Sequence, residues 1–337
     1  MTRPRADRPR VLIVTTGGTI ASRRDPLTGA VSTAARGEEL LDIVPGASDM
    51  ADLEVEAFSA VNGWNMTPAM MFDLARLLNQ QLQRPELVGA VVTHGTDTVE
   101  ETAFLVDLML QSEKPVVFAV ALRNISELGA DGPRNFADAI AVAASPKSRN
   151  FGSLLVVNQT VHAARYATKT HTTNPDAFES PDFGPAGLMT NERVRFLRPP
   201  LPRAPLNPSW IEPEVFLFKS TAGADARPLI WAISEGYKGV VIEGSGAGNV
   251  PAMVLPGISS AMEARIPVVL ASRCIRGFLS PTYGSGGAAG GGWDLARLGV
   301  IPATHLPSQK ARIKLMLALG MTSDFDEVRA IFEDDSN

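Results

Sequence analysis

Val11-Leu12-Ile13-Val14-Thr15-Thr16-Gly17-Gly18-Thr19 is a short apolar run that ends in a hydroxyl- and glycine-rich string. The run reads as a buried strand. The paired glycines then let the backbone turn sharply and leave N–H groups accessible. A second string, Thr93-His94-Gly95-Thr96-Asp97-Thr98, follows Val91-Val92 in the same way. Each stands where a strand ends and a loop begins, which in an open α/β sheet is where ligands and catalytic groups collect. A phosphate-binding turn is the competing interpretation of the first string. A Walker loop needs Gly-Lys-Ser/Thr there, and a dinucleotide fingerprint needs G-x-G-x-x-G; the string has neither. It places the hydroxyl of Thr19 behind the glycines, while the second string adds hydroxyls and the Asp97 carboxylate. Threonine is a weak nucleophile until a base takes its proton, and backbone N–H groups can stabilise an oxyanion. The combination points to acyl transfer from an amide.

Outward from these strings, apolar runs alternate with helical patterns. Strands are expected at Val11 to Val14, Leu53 to Ser59, Leu87 to Val92, Pro115 to Ala121 and Gly152 to Val157. Helices are expected at Pro68 to Leu82, with Thr67 as N-cap, at Thr98 to Leu110 as an amphipathic helix, and from Asp131-Gly132-Pro133 through Ala144. Such alternation argues for a mostly parallel, doubly wound sheet. The proline-rich stretch from Pro199 to Pro213 suits neither helix nor central strand and reads as a linker. A second α/β pattern follows, with strands at Val215 to Phe218, Gly239 to Glu243 and Pro267 to Ala271. Its helices are expected at Arg227 to Glu235, near Pro256 to Glu263, and, as the last helix, at Ser308 to Leu319. Gly284 to Gly292 is low in complexity and is expected to be mobile unless something binds. The expected organisation is a catalytic α/β domain over 11–198, a linker over 199–213 and a second α/β domain over 214–337.

The 337 residues carry a formal charge of −5, with 45% hydrophobic and 20% charged residues, as in an ordinary globular protein. No dense basic tract follows the first ten residues, so neither nucleic acid nor membrane is expected as a partner. The basic start, Met1 to Arg10, is followed by only a short apolar run, whereas a signal peptide needs roughly 7–15 apolar residues there. A loose tail and a cytoplasmic location are expected. Cys274 is the one cysteine, which rules out an internal disulfide and a cysteine-based zinc site. It reads as a buried small residue. His94 invites a general-base role, but a histidine between a strand and a glycine is more often structural. Tight packing of His94 and Gly95 is expected to leave N–H groups for an oxyanion.

More of the chain fits one family. Ile13 to Ala21 and Gly89 to Val99 resemble both signatures of the bacterial-type L-asparaginase/glutaminase family, in order and at its spacing. Ala130-Asp131-Gly132-Pro133-Arg134-Asn135, Ala167 to Thr172, Gly244 to Asn249 and Gln309 to Arg312 resemble further segments, and the likeness runs from about Val11 to Leu319. It implies a two-domain α/β fold with a larger flavodoxin-like N-terminal domain. It also implies a dimer or tetramer (homotetramer in many members) with the site where subunits meet, and hydrolysis of asparagine without metal or organic cofactor. By resemblance, Thr19 is the nucleophile that forms an acyl-enzyme, and Thr96, Asp97 and Lys169 relay a proton. Within that family the nucleophile has been assigned to either threonine. Asp97 further matches the residue that binds the substrate ammonium, Ala121 a position whose carbonyl meets the amide nitrogen, and Asn249 a residue of the glycine-rich turn. Lysine suits base duty only where burial and crowding lower its pKa. Taken alone, Lys169 would be a solvated loop lysine.

The departures concern the walls of the site. The family's flexible-segment tyrosine falls near Ala30, where no tyrosine stands. Its carboxylate-binding serine falls near Gly63, within Val61 to Thr67 and beside the bulky Trp64, so Gly63, Trp64 and Gly95 are the candidate substrate contacts there. Ala247 replaces an asparagine of the glycine-rich turn, and the Gly284 to Gly292 stretch has no acid before Asp294. Tyr283 is the candidate substitute phenol; a structural tyrosine at the loop base is the alternative. These differences leave three expectations: an asparaginase, an amidase for another amide (glutamine, a D-isomer or a larger one), or a ligand sensor of the same fold without turnover.

Overall fold

The computed structural model describes residues 8–18, 22–24, 31–33, 44 and 46–334. Thr19 and Ala30 lie outside the described residues. The chain divides into two compact units, Met1–Pro205 and Leu206–Asn337.

In the first unit the strands are β1 (Arg10–Gly17), β2 (Ser22–Arg24), β3 (Val31–Thr33), β4 (Asp52–Val61), β5 (Leu87–Thr93), β6 (Val116–Ala119), β7 (Ser153–Val157), β8 (Thr160–Ala163), β9 (Thr168–Lys169), β10 (Phe178–Glu179), β11 (Gly187–Thr190) and β12 (Arg193–Phe196). The helices are α1 (Ala47–Met50), α2 (Pro68–Gln81), α3 (Val99–Met109) and α4 (Gly132–Ala143). An eight-stranded sheet has the order β12-β11-β8-β7-β6-β5-β1-β4. From β4 through β1, β5 and β6 to β7 every pairing is parallel. These strands follow the flavodoxin-like order 2-1-3-4-5, whose direction of winding reverses between β1 and β5. β8, β11 and β12 extend the sheet antiparallel, which the sequence reading did not anticipate. They are short, and their half-exposed faces give no continuous apolar run.

Burial explains the two kinds of strand. Val11 to Gly17 are buried throughout, as expected of a strand covered on both faces, whereas β4 at the sheet edge is partly exposed along its length. Thr67 caps α2 by accepting from the N–H of Met70 at 3.3 Å, with Pro68 beside it. α3 departs from the expected amphipathic helix: nearly every residue, including Glu100 and Asp107, is buried. It lies within the unit rather than over its surface, so it needs no broad polar face.

The second unit holds a parallel sheet β13 (Val215–Lys219), β14 (Gly239–Gly244), β15 (Val268–Ser272) and β16 (Ile301–Pro302). Its helices are α5 (Arg227–Ser234), α6 (Leu255–Glu263), α7 (Gly292–Arg297), α8 (Ser308–Leu319) and α9 (Phe325–Glu333). Three expectations change here. The helix at Ser308–Leu319 is not the last, because Asp324 caps α9 by accepting from the N–H groups of Asp326 and Glu327. Cys274 is exposed, since it lies beyond the end of β15 in a turn where its N–H donates to Ser272 Oγ at 3.0 Å. The glycine-rich stretch follows a pinned path: the Asp294 carboxylate accepts from Ser285 N at 2.9 Å and Gly290 N at 3.1 Å. A single carboxylate just beyond the stretch thus gathers a loop whose composition alone predicts mobility.

Candidate active site

β1 and β5 end side by side, and their following loops meet backbone to backbone. Gly17 and Gly18 both have positive φ, +110° and +88°, in the region that favours glycine. A Cβ at Gly18 would lie 2.4 Å from Gly95 N, so no other residue fits that approach. The Thr16 hydroxyl donates to Thr93 O at 2.7 Å and ties the two strand ends together. A third loop, after β4, closes on them. Gly63 and Gly95 are in such contact that a Cβ on Gly95 would stand 2.7 Å from Gly63 N. Thr98 Oγ1 donates to Gly63 O at 2.6 Å.

His94 lies fully buried beneath this junction. Its Nδ1 is 2.8 Å from Gly95 O and its Nε2 is 2.9 Å from Thr102 Oγ1. A carbonyl only accepts, so Nδ1 carries the proton and Nε2 accepts from the Thr102 hydroxyl. Burial pushes the imidazole down to about 4, against the opposing hydrogen bond to Gly95, which keeps the ring neutral. Both ring nitrogens are engaged in holding structure, in line with the structural interpretation of this residue. The His94 N–H is not available to an oxyanion, because it completes the sheet by donating to Ala119 O at 3.1 Å. Thr102 was missed by sequence reasoning; a hydroxyl one turn beyond Thr98, directly before the apolar run Ala103 to Val106, was the available signal.

Lys169 reaches the same edge from β9, which pairs antiparallel with β10 through Phe178. Its Nζ donates to Thr96 Oγ1 at 2.8 Å and to Asp97 Oδ1 at 2.7 Å. The lysine side chain is 14% exposed and that of Asp97 48%. It is therefore not a solvated loop lysine. Thr96 is buried. A cleft of about 390 Å³ opens beside the trio, lined by Asp97, Glu100, Lys169, Thr170, His171 and Thr172. Here a hydroxyl, an amine and a carboxylate touch, an arrangement able to pass a proton over two hydrogen bonds.

The remaining candidates fall in two places. Gly63, Trp64 and Ala121 belong to the first unit. Trp64 is 66% exposed, and Ala121 is buried in the loop that follows β6. Asn249 and Tyr283 belong to the second unit. Asn249 Oδ1 accepts from Gly292 N at 3.1 Å, and Tyr283 is 61% exposed while its carbonyl accepts from Trp293 N at 2.9 Å. So the structure gathers Thr16, Gly18, Gly63, Gly95, Thr96, Asp97 and Lys169 at the strand ends of the first unit.

Residues 10–202 match the family described as asparaginase, N-terminal, and residues 214–332 match the glutaminase/asparaginase C-terminal domain. The chain belongs to the asparaginase family. Among its relatives is a probable L-asparaginase of Deinococcus radiodurans, 36% identical, with 97% of this chain and 98% of that protein covered. The probable periplasmic L-asparaginase of Haemophilus influenzae is 34% identical, over 98% of this chain and 94% of that one. The crystal structure of a probable cytoplasmic L-asparaginase from Campylobacter jejuni superposes with a TM-score of 0.86 at 31% identity, covering 97% of this chain and all of that one. The two-domain asparaginase fold follows from both family matches and this superposition.

Proposed function

We propose that the chain hydrolyses the side-chain amide of L-asparagine to L-aspartate and ammonia. The observation that supports this most is the hydrogen-bonded trio Thr96, Lys169 and Asp97 beside the Gly17-Gly18 turn. In the proposed reaction Thr19 Oγ attacks the amide carbon. Its proton passes through the trio to the departing nitrogen, which leaves as ammonia, and the C–N bond is exchanged for a threonine ester. A water molecule then attacks the ester, gives a proton back to the threonine oxygen and releases the carboxylic acid. Asp97 holds the substrate ammonium by charge. The Ala121 carbonyl accepts from the amide N–H₂, while Gly63 and Gly95 offer backbone groups and Trp64 a wall. Tyr283, with Asn249 on the neighbouring turn, completes the site from this or a second subunit, and the active form is a dimer or tetramer in the cytoplasm.

Ammonia release across L-asparagine, L-glutamine, D-asparagine and larger amides tests the activity. The Gly63-Trp64 pair favours a second reading, an amidase for another amide, since glycine gives no hydroxyl to the substrate carboxylate. A preference of more than about tenfold in kcat/KM for one of the other amides would establish it. Binding of an amide with no ammonia from any would mark a sensor instead. Trapping an ester on Thr19 by rapid acid quench and peptide mass spectrometry tests the covalent step. Tyr283→Phe is expected to lower turnover by at least roughly 10²-fold, a typical acid–base contribution; near-normal turnover removes Tyr283 from the site. Sedimentation and cell fractionation test the assembly and the compartment.

A further inference from the structure

Asp131 stands at the N-cap of α4, yet its carboxylate makes no capping bond. An N-cap aspartate ordinarily accepts from the first turn of its own helix. Here the carboxylate faces the loop after β6. Oδ1 and Oδ2 lie 3.1 and 3.0 Å from Leu122 N, and Oδ1 accepts from Arg123 N at 2.9 Å. Asn135, one turn along α4 and 1% exposed, donates from Nδ2 to Val120 O at 2.9 Å and to Asp131 Oδ2 at 3.1 Å. Its Oδ1 accepts from Asn158 N at 2.9 Å. Ala121 is therefore braced from both neighbours: the carbonyl before it by Asn135 and the N–H after it by Asp131.

The Leu122 N–H and the Ala121 C=O belong to one peptide plane. In a trans peptide these two bonds point in opposite directions. Fixing the N–H on Asp131 thus aims the Ala121 oxygen away from the start of α4. The bond is also charge-assisted, and an anion on the N–H side polarises the peptide so that its oxygen accepts more strongly.

We propose that Asp131 is a positioning residue that aims and polarises the Ala121 carbonyl as the acceptor for the N–H₂ of the substrate amide, with Asn135 bracing the same loop. This rests on the amide hydrolysis proposed above. The role is specific to a leaving group that carries N–H.

Steady-state kinetics of the full chain separate the roles, using L-asparagine and the β-methyl ester of L-aspartate, which has no N–H to donate. Asp131→Asn is expected to lower kcat/KM for the amide about tenfold, the equivalent of one hydrogen bond, and for the ester less than about threefold. Asp131→Glu, which keeps the carboxylate, should recover part of the amide activity and leave the ester unchanged. Equal losses on both substrates, or no loss on either, overturn the positioning role while leaving amide hydrolysis intact. If thermal unfolding shows Asp131→Asn to be unfolded, Asn135→Ala carries the same comparison with the same expected split. A wild-type chain that releases no ammonia from any amide overturns the proposed function itself, and the role of Asp131 with it.

Discussion

Lys169 and Thr96 are joined by a 2.8 Å hydrogen bond across a sequence separation of 73 residues. The lysine comes from a two-residue strand and the threonine from the loop after β5, so only the fold puts them together. The same amine also holds Asp97 at 2.7 Å. A lysine with little exposure, ending on a hydroxyl and a carboxylate, has a defined direction in which to move a proton.

Removing that amine should stop the relay without unfolding the protein. Lys169→Ala is expected to lower kcat by about 10²–10⁴-fold, the range for a positioned acid–base group. The ion pair involves a half-exposed Asp97, so its loss should change stability by no more than about 1 kcal/mol. Steady-state ammonia release and urea unfolding of the same preparation check both halves. A kcat within threefold of wild type, about 0.7 kcal/mol, would exclude Lys169 from the chemistry.

His94 should imprint a pH dependence on stability. Its folded value of about 4 lies below the ordinary 6.5. As pH falls from 6.5 toward 4, the unfolded chain takes up a proton that the buried ring refuses, so stability is lost over that window. The full loss amounts to about 3 kcal/mol. His94→Gln lacks the titration, so its stability deficit relative to wild type should shrink as pH falls through the window. Denaturant unfolding at pH 7, 5.5 and 4 measures it; a constant difference between the two proteins would refute the buried neutral ring.

Gly95→Ala tests the junction of the loops. The added Cβ would meet Gly63 N at 2.7 Å and Gly63 Cα at 2.8 Å, backbone atoms that move only with the whole loop. A loss of about 1–3 kcal/mol is expected from overpacking. Thr96 is the next residue, so kcat should fall as well. Thermal unfolding together with turnover checks this, and an unchanged melting temperature would mean that the two loops are not in contact.

The exit of the chain from the first unit rests on Asp107. Its Oδ1 accepts from Ser153 N at 2.8 Å and pairs with Arg203 Nε at 3.4 Å, the two side chains being 8% and 12% exposed. Asp107→Ala should cost about 3 kcal/mol, because it removes the counter-charge of a buried guanidinium, which keeps only its bonds to the Asp107 and Leu110 carbonyls, and leaves a strand N–H without its acceptor. Asp107→Asn, which still accepts from Ser153, should cost less. Equilibrium unfolding of both variants ranks them, and equal effects would contradict the role of the Ser153 bond.

Much of this was legible in the linear chain. The apolar runs at Val11 and Val91 declared buried strands, and the alternation of strands with helices declared a parallel sheet, because parallel neighbours need a crossover between them. The Gly17-Gly18 and Gly95 positions declared close approach, because only glycine serves where backbones touch. Less legible were β8, β11 and β12, whose half-exposed faces dilute the apolar pattern, and α3, whose burial is imposed by its neighbours. The course of Gly284 to Gly292 was unreadable because its order comes from Asp294, outside the stretch, accepting from its N–H groups.

The sequence by itself determined the α/β class, the resemblance to one family and the residue types at the site, since these follow from local periodicity and short motifs. Only the tertiary structure decided which of those residues touch. It showed what the structural His94 holds, with both ring nitrogens engaged, and brought Lys169 from a separate loop onto Thr96 and Asp97. It also turned the Asp131 carboxylate from its own helix to the peptide behind Ala121. Each outcome depends on distances between segments far apart in the chain. Such distances are set by how strands pair and helices pack, and no short stretch of sequence encodes them.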